Sequence, residues 1–199
     1  KETIKIALEM PVKGTSPQMI LEGLVTMHGR ITPIMGGGTV KSASGLIEID
    51  ATKLGFEMNK GMVKKTTSMP MTFSLDFDGT ENDLRIKNAD VRFHEIALNA
   101  KGVVTLQPAQ AVKMEVKTTA LPLASLEQIV PMLKEYALGG NGSLFVTAEG
   151  PVAKISAKGE FGISGGKVSY PAMLKGPLAF DLKTGFTENS FNLASFTVN

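Results

Sequence analysis

The chain has 199 residues, of which 43% are hydrophobic and 20% charged, and its formal net charge is +2. This composition excludes an intrinsically disordered protein, and the length suffices for a large domain with a real core. The 21 lysines and arginines are scattered, mostly singly, which argues against nucleic acid as a partner, because a phosphate-binding stripe clusters its charge. Zero cysteine excludes disulfides and thiolate chemistry, and no run of about 18 apolar residues could span a membrane.

Apolar and polar residues alternate along nearly the whole chain. Successive side chains of a strand point to opposite faces, so each such segment has one apolar and one polar side. The clearest case is Met71, Phe73, Leu75 and Phe77, which alternate with polar residues. The pattern predicts strands at residues 2–9, 19–27, 45–51, 54–58, 70–78, 83–87, 90–93, 95–100, 102–107, 111–119, 142–149, 152–158, 159–164, 166–170, 177–184 and 190–198.

Turn-forming residues separate these segments and predict short antiparallel strands joined by tight turns. They lie at Asp78-Gly79, Asn88-Ala89, Lys101-Gly102, residues 139–142, Gly165-Gly166 and Glu188-Asn189. The glycine-rich stretch 35–44 is the best candidate for a mobile loop.

One segment, around residues 122–136, has apolar residues at helical spacing instead. Ser125 is a candidate N-cap, with Gln128 three residues later as a weak capping box, and Gly139 and Gly140 are stop signals. Pro131 lies inside the pattern, so one kinked helix and two short turns are both compatible with it. A segment this short can cover only a few strands.

The mismatch between so much apolar strand surface and one short helix leaves two architectures open. Either the sheet folds until its apolar faces meet, as in a closed sandwich or barrel, or part of the face is left for a ligand. In the second case the ligand would be an acyl chain, because Phe, Met, Leu and Ile offer no directed polar contacts. From the residues alone, the sequence predicts an all-β protein with an antiparallel sheet and favours the closed form. A twisted, curled antiparallel sheet forming a groove, half-barrel or open sandwich is the other form, and only a family resemblance in the strand and glycine patterns makes it the expected one.

No catalytic or metal-binding set stands out. Ser164 lies in a G-x-S-x-G pattern, but a strand is predicted after it and both His28 and His94 precede it, which favours a hairpin turn over an esterase nucleophile. The glycines before Lys41 lack the glycine that a P-loop places directly before its lysine. The Asp78 region does not follow the order of an EF-hand loop. We expect no enzyme activity, no cofactor and no metal, and a partly exposed turn position for His94.

Several strand and glycine patterns occur in an order that resembles the AsmA-like family of envelope proteins. From residue 121, a short helical segment leads to a G-x-L strand at 142–146, a G-x-F-x-I-x-x-G hairpin at 159–166 with Val168-Ser169-Tyr170-Pro171 after it, a P-L-x-x-x-L strand at 177–182 and a last strand at 192–196. Upstream, residues 84–93 and 96–104 resemble the same family's hairpin and its L-x-x-x-G-x-V strand. The resemblance covers residues 83–199 and extends loosely over 1–82; Pro131 and the stretch 36–45 depart from it.

The resemblance implies a periplasmic segment tethered to the inner membrane by parts of the protein outside this chain, with a role in outer-membrane lipid homeostasis or assembly. It also implies a bridge-type lipid carrier with an apolar trough. On this reading the partner is phospholipid or another acyl lipid, and envelope proteins are further candidates. A closed sandwich that docks an envelope protein through an edge strand is the alternative.

Residues 1–199 are expected to form one β-rich domain excerpted from a longer chain, with possible sub-units 1–120 and 121–199. The candidate lining residues of the groove, chosen by alternation and size, are Met71, Phe73, Leu75, Phe77, Phe93, Ile96, Leu98, Phe161, Phe180 and Phe191.

Overall fold

A computed structural model describes residues 4–16, 19–170 and 176–198. Residues 2–3 of the first predicted strand lie outside the described residues, as does Pro171. The strands are β1 (Ile4–Ser16), β2 (Met19–Gly36), β3 (Thr39–Asp50), β4 (Leu54–Met58), β5 (Val63–Lys65), β6 (Met71–Thr80), β7 (Asp83–Phe93), β8 (Ile96–Thr105), β9 (Ala111–Ala120), β10 (Gly139–Pro151), β11 (Ser156–Val168), β12 (Leu178–Thr187) and β13 (Ser190–Val198).

All of these strands belong to one antiparallel sheet, in which each row pairs with the next along the chain. Both β3 and β4 pair with the same edge of β2, and β6 and β5 pair in turn with β3 and β4. Because β3 and β4 share one row and β5 and β6 another, the thirteen strands form eleven rows. The sheet is continuous from β9 into β10, which pair over residues 111–117 and 145–151. Within the described residues, β1 and β13 are its two outer rows.

The predicted all-β fold is confirmed, as a single open sheet that does not close into a barrel. The closed sandwich that composition also allowed is not what forms. The chain exposes 12703 Å², whereas a compact monomer of 21.1 kDa exposes about 9,000 Å². The difference is what a sheet one layer thick produces, because its two faces do not cover each other.

Three of the predicted turns are irregularities within long strands. Asn88-Ala89, Lys101-Gly102 and Gly165-Gly166 lie inside β7, β8 and β11, at or beside shifts of register with the neighbouring strand. Gly165 has φ +58°, the conformation that a bulge residue adopts and that glycine tolerates best. The expected hairpin turn at Ser164 is therefore wrong. Bulges increase the local bend and twist of a strand, so these residues curl the sheet and do not end its strands.

Four further sequence expectations are corrected near the strand ends. The stretch 35–44 is no long loop: β2 and β3 are joined by the two-residue turn Gly37-Gly38, whose φ angles of +60° and +80° suit a tight hairpin. Asp78-Gly79 lies within β6, and the turn follows at Glu81-Asn82. Residues 139–142 are already the start of β10, and the strand predicted at 152–158 begins only at Ser156. The turn at Glu188-Asn189 is confirmed.

The helical segment between β9 and β10 consists of three short pieces: a 3-10 turn at Leu123–Ser125, α1 at Leu126–Ile129 and a second 3-10 turn at Pro131–Tyr136. Pro131 begins the last piece, so the predicted interruption is confirmed. Ser125 is no N-cap, because its backbone is already helical and its hydroxyl bonds the Glu95 carboxylate on the β7–β8 turn. The segment ends at Ala137 with φ +41°, before the glycines.

This segment packs along one end of the strands, where its first turn contacts β10 and α1 contacts β5. Leu123 and Ile129 are buried there, each with 7% of its surface exposed. The segment therefore covers one border of the sheet and leaves most of the sheet surface uncovered.

Lys65 lies where the row of β3 and β4 and the row of β5 and β6 are each interrupted between their two strands. It is 2% exposed, and its ammonium group donates to the carbonyls of Thr52, Leu54 and Thr66 at 2.9, 2.5 and 3.2 Å. Burial lowers the pKa of Lys65, and the charge of Asp50 opposes that shift. Three carbonyl acceptors match the three N–H donors of an ammonium group. Lys65 therefore supplies donors to carbonyls at the interruption between the paired strands.

Replacing Lys65 by methionine is expected to lower the free energy of unfolding by about 2 kcal/mol, because three partly buried carbonyls lose their donor. The matched control is Lys64→Met, since Lys64 is exposed and its contact with Glu57 is a 4.0 Å surface ion pair, a kind that contributes about 0–1 kcal/mol. Urea unfolding followed by circular dichroism measures both. Equal losses for the two variants would contradict the assigned role of Lys65.

Candidate functional site: the uncovered apolar face

Cross-strand partners lie on the same face of a sheet, so the observed register assigns every strand residue to a side. Phe73 pairs with Val91, Val91 with Leu98, and this face continues row by row to Phe191 on β13. All ten residues predicted from alternation lie on it: Met71, Phe73, Leu75, Phe77, Phe93, Ile96, Leu98, Phe161, Phe180 and Phe191. We call this side the apolar face.

The apolar face carries almost no polar groups. Away from hairpin ends and bulges, its polar members among the described strand residues are Lys65, Thr118 and Thr184. Lys65 is bonded as described above, Thr118 accepts a hydrogen bond from the Leu144 amide at 2.9 Å, and Thr184 is 1% exposed. None of the three presents a charge to the face, so the surface is hydrocarbon-like along eleven rows.

Three glycines of the apolar face lie opposite phenylalanines, whose rings cover them. The pairs are Gly45 with Phe77, Gly159 with Phe186, and Gly166 with Phe180. A Cβ placed on each glycine would lie 2.7 to 2.9 Å from the partner ring. Ring and glycine therefore fit together as one unit, and a larger residue at the glycine would push the ring away from the sheet.

Apart from Lys65, the charged side chains of the described strands, away from hairpin ends and bulges, lie on the opposite side, the polar face. Its ion pairs include Lys87 with Asp78 at 2.9 Å and with Asp76 at 3.3 Å, Lys101 with Glu115 at 3.0 Å, and Lys183 with Glu160 at 3.5 Å. Hydrogen bonding to Asp78, then to Asp76, raises the pKa of Lys87. These pairs are exposed and add little stability, but they define the side of the sheet that is solvated.

No second layer covers the apolar face within the described residues. Its outer rows are the most exposed, with Phe191 at 70% and Leu193 at 56% on β13 and Ile4 at 54% on β1, while its central rows are half-buried. The buried apolar residues in the described part of the chain are Ala51, Met69, Ala89, Leu123 and Ile129. A closed core for a sheet of this size would bury many more, so the face is an open, curled surface with exposed rims.

The structure adds residues that sequence reasoning missed. Phe186, Phe196 and Met114 lie on the apolar face beside the predicted set. The alternation of Leu178, Phe180 and Leu182 continues to Phe186, so a longer reading of that strand would have found it. Phe196 follows a register irregularity opposite Lys183-Thr184, which breaks the alternation that would have identified it.

The motifs considered for chemistry fall on ordinary structural positions. Ser164 lies in β11, which continues as a strand to Val168 where a nucleophile elbow needs a helix. Asp78 is paired with Lys87. His94 occupies the β7–β8 turn with φ +55° and is half-buried, as expected, and its amide bonds the Pro70 carbonyl at 2.7 Å.

Taken together, these features define the class of the protein as an open amphipathic β-sheet with an uncovered hydrocarbon-like face. Among the described residues, the helical pieces are too short to cross a bilayer. Comparison of the chain with protein-family models, with curated proteins and with solved structures finds no match.

Proposed function

We propose that the apolar face binds the acyl chains of phospholipid or another acyl lipid and lets them pass along the sheet without catalysis. The observation that carries this proposal is the apolar surface over eleven rows, above which the described residues form no layer. Removing an acyl chain from water is worth about 0.8 kcal/mol per methylene group, so an uncovered surface of this kind favours such a ligand strongly.

The dimensions of the face suit passage as well as binding. Rows spaced about 4.8 Å apart give a surface about 48 Å long across the strands. One leaflet's share of a bilayer core is about 15 Å, so a single acyl chain occupies about three rows and several chains fit in line. Among the described strand residues, the polar groups of the face are bonded within the sheet or buried, so none of them fixes a chain at one place.

The resemblance to AsmA-like proteins supports placing this carrier in the cell envelope. On this proposal the segment lies in the periplasm, tethered to the inner membrane by parts of the protein outside the chain, and serves outer-membrane lipid homeostasis or assembly. A headgroup would then remain at the rim of the curled sheet while the chains contact its apolar face.

A structural module that docks an envelope protein is the second candidate. It is favoured by the outer rows β1 and β13, whose outward edges have no partner strand among the described residues. An edge of this kind can accept another strand. This candidate predicts a bound protein and no bound lipid, which separates it from the carrier.

Native mass spectrometry of the chain, isolated without detergent, tests the carrier proposal. We expect adducts with the masses of phospholipids and, for lipid-stripped protein, uptake of fluorescent phospholipid from vesicles, since no described part of the chain covers the apolar face. Protein that is isolated free of lipid and also takes up none would contradict the proposal.

A further inference from the structure

One phenylalanine lies on the wrong side for a core or lipid-lining residue. Of the ten phenylalanines, nine lie on the apolar face and Phe145 lies on the polar face, because it pairs with Lys117 and Glu160. Its ring is 43% exposed. An aromatic side chain among solvated charges does not contribute to the apolar face, so its exposed position on the polar face requires a different explanation.

Phe145 forms one wall of a hollow in the polar face that spans β10 to β13, with a volume of about 460 Å³. A single cross-strand row runs from Phe145 through Glu160 and Gly185 to Asn192. The depression lies over Gly185, where the row has no side chain and where a Cβ would meet only the Gly159 carbonyl, at 3.8 Å. Its volume falls in the range of about 300–1,000 Å³ typical of small-molecule sites.

The adjacent row supplies hydrogen-bonding groups along the hollow. It runs from Thr147 through Lys158 and Thr187 to Ser190. The hydroxyls of Thr187 and Ser190 are 2.7 Å apart and orient each other, and Glu160 is held by Lys183. One flat apolar ring is therefore combined with hydroxyl, amide, ammonium and carboxylate groups.

We propose that this hollow binds the pyranose ring of a glycan. A pyranose has a face of C–H groups that stacks on an aromatic ring, and a rim of hydroxyls that both donate and accept hydrogen bonds. Phe145 supplies the stacking surface, and Asn192, Thr187 and Lys158 supply partners for the rim. An acyl chain in this hollow would lie beside the charges of Lys158 and Glu160 and leave the hydroxyl and amide groups without partners. A phosphate would have to lie beside the Glu160 carboxylate. The sheet then has two separate ligand surfaces, lipid on one face and sugar on the other.

Saturation-transfer-difference NMR on the whole chain tests the proposal, with chitotetraose, maltotetraose and cellotetraose as probes. We expect saturation to reach the ring C–H protons of at least one tetrasaccharide. Phe145→Leu should weaken that binding about tenfold, the size expected for loss of an aromatic stacking contact. Gly185→Leu should also abolish it by filling the hollow, while Phe191→Leu, at an exposed phenylalanine of the apolar face, should leave it unchanged.

Vesicles of phosphatidylcholine with and without glucosyl diacylglycerol, added to lipid-stripped chain, distinguish a lipid-borne sugar from a free glycan. Binding that requires the glycolipid and is lost in Phe145→Leu supports the first source, and binding of a tetrasaccharide supports the second. No transfer to any tetrasaccharide together with no preference for the glycolipid would overturn the proposal. Unchanged glycan binding by folded Phe145→Leu and Gly185→Leu would also overturn it. So would analytical ultracentrifugation in which the original chain is a dimer and Phe145→Leu is a monomer, since Phe145 would then contact a second copy of the chain. Because Phe145 and Gly185 are on the polar face, these results are independent of lipid uptake.

Discussion

Replacing Leu75 by glutamate is expected to reduce uptake of labelled phospholipid by more than about tenfold. A carboxylate covered by an acyl chain would lose its hydrogen bonds to water and gain no hydrogen bond or opposite charge in return. Leu75 lies in a central row of the apolar face, where it pairs with Ile47 and Ala89. Neither neighbour can compensate the charge. Transfer of fluorescent phospholipid from vesicles to the purified variant measures the effect.

The matched control for this variant is Leu46→Glu. Leu46 is half-buried like Leu75 and lies in the neighbouring row, but on the polar face, where it pairs with Arg30 and Asp76. The same substitution therefore adds the same charge between Arg30 and Asp76, on the solvated face and away from the lipid. Circular dichroism should show that both variants fold, and equal uptake by the two would contradict the assignment of the apolar face as the binding surface.

Replacing Gly159 by valine is expected to destabilise the fold by about 3 kcal/mol, the upper end of the usual cost of forcing extra atoms into a packed place. A Cβ at this position would lie 2.3 Å from the Phe145 carbonyl oxygen and 2.7 Å from the Phe186 ring. The carbonyl belongs to the paired strand and cannot move without breaking the ladder. The midpoint of urea unfolding measures the loss.

Gly185→Val is the control for the glycine prediction. Gly185 lies in the adjacent strand β12 on the polar face, and its Cβ would have no contact closer than 3.8 Å. Valine is well suited to strands, so the free energy of unfolding should stay within about 0.5 kcal/mol of the original value. A similar loss at both glycines would show that the Phe186 ring and the Phe145 carbonyl do not constrain Gly159.

The two faces of the sheet could be predicted from the sequence because alternation assigns a side within each strand, whatever its neighbours are. Residues as distant in the chain as Met71 and Phe180 were therefore predicted to lie on one face, and the strand register places them there. The sequence did not decide whether that face would be covered, since a closed sandwich has the same alternation. That outcome depends on how the whole sheet bends, which is a property of all its rows together.

Strand lengths were predicted less well, and for a specific reason. A glycine with positive φ, such as Gly165, occurs both in a hairpin turn and in a bulge, so the local sequence is the same for both. The difference is whether the flanking residues pair with each other or with one neighbouring strand. Here both halves of β11 pair with β12, a long-range fact that no local pattern contains.

Ser125 shows the same limit at the helical segment. Its spacing to Gln128 fits a capping box, but its hydroxyl bonds Glu95, thirty residues earlier in the chain. The contact exists because the segment packs back against the strand ends. Pro131, in contrast, acts through its own backbone, and its effect was predicted correctly.

Photo-crosslinking to labelled phospholipid from consecutive positions of β6 is the most direct measurement of whether the open side of this sheet holds lipid. A benzophenone side chain would be introduced in turn at positions 72, 73, 74 and 75. The account predicts strong labelling from 73 and 75 and background labelling from 72 and 74, because successive residues point to opposite faces. Equal labelling at all four positions, or none at 73 and 75, would contradict it.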